Sequence, residues 1–301
     1  VNRVGIDLGG TAIKAGAISD RGEVIARRTI ATELERGPSD LVDRIAELAR
    51  ELGAERAIGL GSPGLIDRDR GVVQSAPNLK RIESFPLRTE LARRLGLAES
   101  AVRIENDANA AAAGEQWIGA ARGEQDVLVV TLGTGIGGGL ILGGELFLGA
   151  GGMAGEIGHI VVDRDGPVCG CGARGCVETL ASASAAEARA LRAVLPRAKP
   201  GDLAALASAA RASPGPEREL IAAIGSDLGR GLGAAVSLLD VRCFVIGGGF
   251  GAALDVLEPG IRAGVRATSY GAERLASVRF LPALLGNDAG WIGAARLAVA
   301  T

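Results

Sequence analysis

Ile6-Asp7-Leu8-Gly9-Gly10-Thr11 and Val130-Thr131-Leu132-Gly133-Thr134-Gly135 share one local pattern: an apolar strand, a glycine-rich turn, then a returning strand. Such a turn between two apolar runs closes a hairpin, so its recurrence calls for two domains with related sheets. In the first half, strands are predicted from Arg3 to Leu8, Ala12 to Ile18 and Glu23 to Ile30. Leu41, Ile45, Leu48 and Leu52 recur at helical spacing after Pro38-Ser39-Asp40, and Gly53 marks the stop. A buried strand from Ala57 to Leu60 runs into Gly61-Ser62-Pro63-Gly64, and a strand from Ala101 to Ile104 leads to an Ala-rich helix after Asp107. In the second half, Asp126 to Leu132 and Gly138 to Leu142 read as strands, and Gly143-Gly144 starts another hairpin. Helices are predicted over 183–195, 217–239 and near 252–257, the last reached from the strand Arg242 to Ile246 through Gly247-Gly248-Gly249. Residues 288–300 read as an amphipathic helix capped by Asn287 or Asp288. No linker is rich enough in Pro or Ser to mark a tethered module, which leaves an α/β chain of two domains in contact around a cleft.

Three Gly-rich turns follow strands, and each offers backbone N–H groups to an anion. The stretch Gly133-Thr134-Gly135-Ile136-Gly137-Gly138 satisfies G-x-G-x-x-G but runs into the strand Leu140-Ile141-Leu142, where a dinucleotide fold needs a helix. No G-x-x-x-x-G-K-[ST] is present, so a P-loop is excluded. Read singly, either hairpin is as well explained by plain turns, with Gly for positive φ and Thr for strand preference. The matched pair, each with Thr beside Gly, points to phosphates held from two sides. Asp7, just before the first turn, is placed to hold Mg²⁺ through water.

Composition removes several chemistries. The only His is His159, which excludes two-His metal motifs and routes any Ser-His-Asp or Cys-His system through one residue. Aromatics are 3% of the chain and the net charge is −2, so neither a stacking platform nor an electrostatic footprint for nucleic acid or an anionic membrane exists. No apolar run reaches the roughly 18 residues of a spanning helix and no leader pattern is evident, so a cytoplasmic location is expected. Three of the four Cys follow His159 as Cys169, Cys171 and Cys176. Three thiolates and one imidazole complete a tetrahedral set for structural Zn²⁺, while the redox spacing C-x-x-C is absent. Cys243, among Val241, Phe244, Val245 and Ile246, reads as a buried strand residue.

Phosphoryl transfer to a hydroxyl needs a carboxylate within hydrogen-bond reach. Asp107, in Ile104-Glu105-Asn106-Asp107-Ala108-Asn109, is the candidate, and a helix cap explains the same residues equally well. Glu156, in Gly155-Glu156-Ile157-Gly158-His159, and Glu178, after Cys176-Val177, bracket the thiol loop; each suits vicinal hydroxyls or a solvated surface.

These segments together resemble the ROK family of sugar kinases along essentially the whole chain. The resemblance implies the actin-like ATPase fold, two ribonuclease-H-like domains with the active site between them. A smaller N-terminal domain is expected over 1–117 plus 288–301, and a larger C-terminal one over 118–287 carrying the zinc loop. ATP is implied at Gly5, Asp7, Gly9, Gly10, Thr11 and Lys14, then at Thr131, Gly133, Thr134, Gly135, Gly137 and Gly138, with the adenosine near Gly248 and Gly249. It further implies Asp107 as general base and Asn106, Glu156, His159 and Glu178 on the hexose. His159 then serves zinc with one ring nitrogen and the sugar with the other. Gly64 and Asn78 fit the opposite wall. Where glucokinases of the family often carry an aromatic after Pro-Asn-Leu, this chain has Lys80-Arg81.

The expected activity is ATP- and Mg²⁺-dependent phosphorylation of glucose at its 6-hydroxyl by a homodimer. Fructokinase, mannokinase and N-acetylhexosamine kinase are the close alternatives. A sugar-binding regulator is the non-enzyme alternative, although the first hairpin begins by Arg3 and leaves no room before it for a helix-turn-helix.

Overall fold

The structure, a computed structural model, describes residues 2–76, 79–193, 195, 202–271 and 276–298. The chain forms two compact units: Val1–Gln125 with Gly139–Ala154 and Leu285–Thr301, and Asp126–Gly138 with Gly155–Leu284.

In the first unit, β1 (Asn2–Leu8), β2 (Ala12–Ser19) and β3 (Val24–Ala31) form an antiparallel meander, followed by α1 (Pro38–Glu51). Then come β4 (Ile58–Ser62), the small hairpin β5 (Leu65–Asp67) and β6 (Val72–Ser75), α2 (Leu87–Leu95), β7 (Val102–Asn106) and α3 (Asp107–Ile118). The sheet order is β3-β2-β1-β4-β7, with β4 parallel to β1 and β7 parallel to β4. Strand alternation sorts β1 between two faces. Val4, Ile6 and Leu8 are fully buried in a core shared with Leu41, Ile45 and Leu48 of α1. Gly5 and Asp7 take the opposite face.

The second unit repeats the plan. Its sheet is built on β8 (Val127–Leu132) and β9 (Ile136–Leu142, whose later half belongs to the first unit), and β10 (Glu145–Leu146), which also belongs to the first unit, pairs back on the end of β9. Helices α4 (Val177–Ala181), α5 (Ala183–Arg192), α6 (Leu203–Ala212) and α7 (Pro216–Leu239) lead to β11 (Cys243–Gly247), α8 (Leu254–Thr268) and β12 (Arg279–Pro282). The order β10-β9-β8-β11-β12, with β8, β11 and β12 parallel, matches that of the first sheet. Finally α9 (Ala289–Leu297) returns to the first unit and covers the Gly5 face of β1. Among the described residues, no helix is long and apolar enough to cross a membrane.

Several details differ from the sequence expectation. Residues 139–154 join the first unit rather than the second, because Gly139 lies against α3 (a Cβ there would meet Ala112 Cβ at 2.4 Å) and Gln116 Nε2 donates to the Gly144 carbonyl at 2.6 Å. The two units are consequently similar in length. The helix near 252–257 is a short 3-10 turn, Phe250–Ala253, followed by α8, which continues past Pro259 because Gly260 and Gly264 seat it backbone-to-backbone on α7. The helix predicted over 183–195 ends at Arg192, and the last residues of the 288–300 prediction lie outside the described residues. Asp288 precedes α9 without capping it; its carboxylate accepts from Trp291 Nε1 at 2.8 Å instead.

Candidate active site

The carboxyl ends of parallel strands are where α/β sheets gather ligands. In the first unit, register brings three strand ends level: Asp7 of β1 opposite Gly61 of β4, and Ser62 of β4 opposite Asn106 of β7. Asp7 and Asp107 thereby come close enough to feel each other's charge. Burial, then the Asp107 charge, push the Asp7 carboxyl up to about 6, against the pull of Lys14, its cross-strand partner. Burial likewise raises Asp107, while hydrogen bonds from the Ala108 N–H and from Asn106 oppose the rise. Among the described residues no protein group donates a hydrogen bond to the Asp7 carboxylate, and a carboxylate raised by desolvation beside another acid suits a hydrated cation.

The junction at 106/107 shows how cap and site coexist. Asn106, not Asp107, caps α3: its Oδ1 accepts from the N–H groups of Ala108 (2.9 Å) and Asn109 (3.1 Å), and its Nδ2 donates to the Gly64 carbonyl at 3.2 Å. Asp107 is the first helical residue and accepts the Ala108 N–H, at 2.9 Å, through Oδ1. The β1–β2 turn is pinned by Gly9 N–H to the Ala12 carbonyl (3.0 Å) and by the buried Thr32, whose hydroxyl donates to the Gly9 carbonyl at 2.7 Å. Thr32 carries no motif, and sequence reasoning missed it. Gly5 has another task than expected: a Cβ there would lie 1.9 Å from the Trp291 carbonyl, so it is the glycine that lets α9 lie on the sheet. Asn78 lies outside the described residues.

In the second unit, Thr131 of β8 lies opposite Gly247 of β11, so the turns Gly133-Thr134-Gly135 and Gly247-Gly248-Gly249 emerge side by side. Gly133, Thr134 and Gly249 of these turns line a cavity of about 360 Å³ together with Glu187, Arg211 and Phe250, whereas Gly248 packs on the Leu132 backbone, 2.4 Å from where a Cβ would stand. That volume falls in the range of about 300–1,000 Å³ for small-ligand sites. Gly138 is packed by the Gly155 carbonyl, 2.3 Å from where a Cβ would stand, so it seats the segment bearing Glu156 and His159 rather than facing an anion. Glu178, on the first turn of α4, accepts the Ile136 N–H through Oε2 at 2.9 Å and thereby holds the 133–136 turn.

His159, Cys169, Cys171 and Cys176 each offer one ligand atom, and all four atoms lie within 4.8 Å of one another. Cys169 Sγ is 3.6 Å from His159 Nδ1, and Cys171 Sγ is 3.7 Å from Cys176 Sγ. A tetrahedral zinc with Zn–S of about 2.3 Å has ligand–ligand edges of about 3.7 Å, so the set fits that ion. Burial, then its neighbouring thiols, push Cys176 up to about 12, and a thiolate there calls for a cation. With Nδ1 turned to the thiols, His159 Nε2 faces Glu156 Oε2 at 3.9 Å.

Two ribonuclease-H-like units, with glycine-rich turns after their strands and an acidic pair at the strand ends of the first, define a protein of the actin-like ATPase fold. The ROK family matches residues 3–301, and the chain belongs to that family. A glucokinase of Thermotoga maritima is 46% identical over 185 residues, a match spanning 60% of this chain and 57% of that protein. An N-acetylmannosamine kinase of Escherichia coli is 35% identical over 306 residues, covering 97% of each. A ROK family glucokinase from Streptomyces griseus, solved in complex with glucose and AMPPNP, is 35% identical, with a TM-score of 0.80 over 99% of both chains.

Proposed function

We propose that this chain is an ATP-dependent hexose kinase that phosphorylates glucose at its 6-hydroxyl. The observation that carries the reading is the strand register that brings Asp7 and the Asn106–Asp107 junction to the carboxyl ends of the same parallel strands, where Asp7 feels the charge of Asp107. Asp107 accepts the proton of the 6-hydroxyl as that oxygen bonds to the γ-phosphorus and the bond to the ADP oxygen breaks. A carboxylate with a raised pKa is the stronger base, and its place at a helix start keeps it oriented. Asn106, held by the Gly64 carbonyl at 3.2 Å, is assigned to the ring hydroxyls together with Gly64. Glu156, Glu178 and the Nε2 face of His159 are the second unit's sugar contacts.

Gly9, Gly10 and Thr11 with Lys14, and Thr131, Gly133, Thr134, Gly135 and Gly137, take the phosphates, and the cavity beside Gly248 and Gly249 takes the adenosine. Mg²⁺, held through water by Asp7, supplies neutralising charge at the phosphates. Zinc on His159 and the three Cys orders the loop that carries the sugar contacts, and the functional protein is a homodimer. Replacing Asp107 with Ala should lower turnover by about 10²–10⁴-fold or more, while glucose binding by calorimetry stays within a few-fold; retained turnover overturns the assignment.

An N-acetylmannosamine kinase is the second reading, favoured by the full-length 35% identity to that enzyme. Initial rates across a panel of hexoses and N-acetylhexosamines separate the two.

A further inference from the structure

We infer that Arg68 is a positioning residue for the phosphoryl transfer: its guanidinium holds the β7–α3 junction that carries Asn106 and Asp107, and with the same head group the loop at Gly152. The inference rests on Asp107 being the base.

Glu105 is 1% exposed, one residue before Asn106 on β7. Its Oε2 accepts from Arg68 Nε at 2.8 Å, and its Oε1 accepts from Arg68 Nη2 in a fork. The same Oε1 accepts the Asn106 backbone N–H at 2.9 Å and the Asn109 side-chain amide at 3.1 Å. A single carboxylate thus grips the helix start at two points, and Arg68 supplies its counter-charge. Among the described residues, the only other cation paired with it is Arg103, at 3.8 Å and half exposed. The third guanidinium nitrogen, Nη1, donates to the Gly152 carbonyl at 3.3 Å. Gly152 has φ +76°, and a Cβ there would lie 2.0 Å from that nitrogen, so the loop is shaped around the arginine.

Desolvating an ion pair costs about as much as the pair returns, so stability alone gives little reason to bury this one. Positioning gives one. Asp107 follows a junction whose backbone N–H and first-turn amide both end on Glu105. A misplacement of about 1 Å in a reacting group costs on the order of 100-fold.

The test compares Arg68→Gln, Arg68→Lys and the double variant Arg68→Gln/Glu105→Gln, each assayed for kcat, both KM values and melting temperature. Arg68→Gln should lower kcat by about tenfold to a hundredfold with the KM for ATP within twofold. Arg68→Lys, which keeps the charge but not the fork, should lie between it and the parent. The double variant should regain at least threefold of the kcat lost by Arg68→Gln, because no buried carboxylate is left without a counter-charge while the amides still hold the junction. Unchanged kcat in Arg68→Gln with a lower melting temperature would show a structural role only and overturn the inference; so would a double variant slower than Arg68→Gln. If Arg68→Gln does not fold, kcat of the double variant at or below a tenth of that of Arg68→Lys overturns it, and kcat above that supports it. Retained turnover in Asp107→Ala overturns the base assignment instead, whatever the Arg68 variants do.

Discussion

Gly135→Ala tests whether Glu178 ties the phosphate turn to the sugar side of the second unit. A Cβ at position 135 would stand 2.3 Å from Glu178 Oε2 and 3.2 Å from its Cδ. Residue 135 does not occupy the left-handed region, so the backbone accepts alanine, and the atom in the way is the movable end of a side chain. The carboxylate must withdraw by about 1 Å to restore van der Waals separation. That breaks its 2.9 Å bond from the Ile136 N–H. A hydrogen bond to a charged acceptor contributes about 1.5–3 kcal/mol, which converts to about a tenfold to a 150-fold loss. Because the same carboxylate is assigned to the sugar, the loss should appear in the KM of both substrates, in a coupled assay that varies each in turn. Melting should fall by no more than about 2–4 °C per kcal/mol, which certifies the fold. In a Glu178→Asp background, where the shorter side chain has already retreated, adding Gly135→Ala should cost less than twofold further. Gly135→Ala with both KM values and kcat within twofold of the parent would refute the coupling.

Four more outcomes are expected. Since Asp7 is raised to about 6 and Asp107 is raised beside it, kcat/KM should fall as pH drops through about 6, the limb belonging to the pair, and added Mg²⁺ should move it to lower pH. Conversely, ionised Asp7 costs stability as pH rises from about 4 to 6, so inactive Asp7→Asn should melt above the parent at pH 8, with the gain vanishing near pH 4. Cys171→Ser should abolish bound zinc by elemental analysis and lower both melting temperature and sugar affinity; full affinity without metal would contradict the proposed role of the loop. Gly229→Ala or Gly264→Ala places a Cβ 2.1 Å from the Ile261 or Ser226 carbonyl across α7 and α8. Overpacking of about 1–3 kcal/mol should then lower melting, seen by calorimetry, with KM unchanged.

Local chemistry made much of this protein legible. The paired hairpin turns, the single His with three nearby Cys, and the Asn-Asp step at a strand-to-helix junction each declare themselves within about twenty residues. Hairpin closure, metal ligation and capping are short-range physics, so the residue pattern alone sufficed for the two related sheets and for the family resemblance. The pattern was silent wherever a glycine or a charge answers to a distant segment. Gly5 looks like part of a phosphate turn yet is required by the Trp291 carbonyl of the last helix. Glu105 stands beside Asn106 and Asp107, the proposed sugar ligand and base, and Arg68 reads as one charge in the turn Asp67-Arg68-Asp69-Arg70. Their pairing joins positions far apart in the chain, as does the Thr32 contact to Gly9.

The sequence by itself determined which chemistry this protein holds, because side-chain types set what can bind phosphate, zinc or a proton. Only the tertiary structure decided how those groups are held. Close approach and burial depend on which backbone lies against which, and no local pattern encodes that.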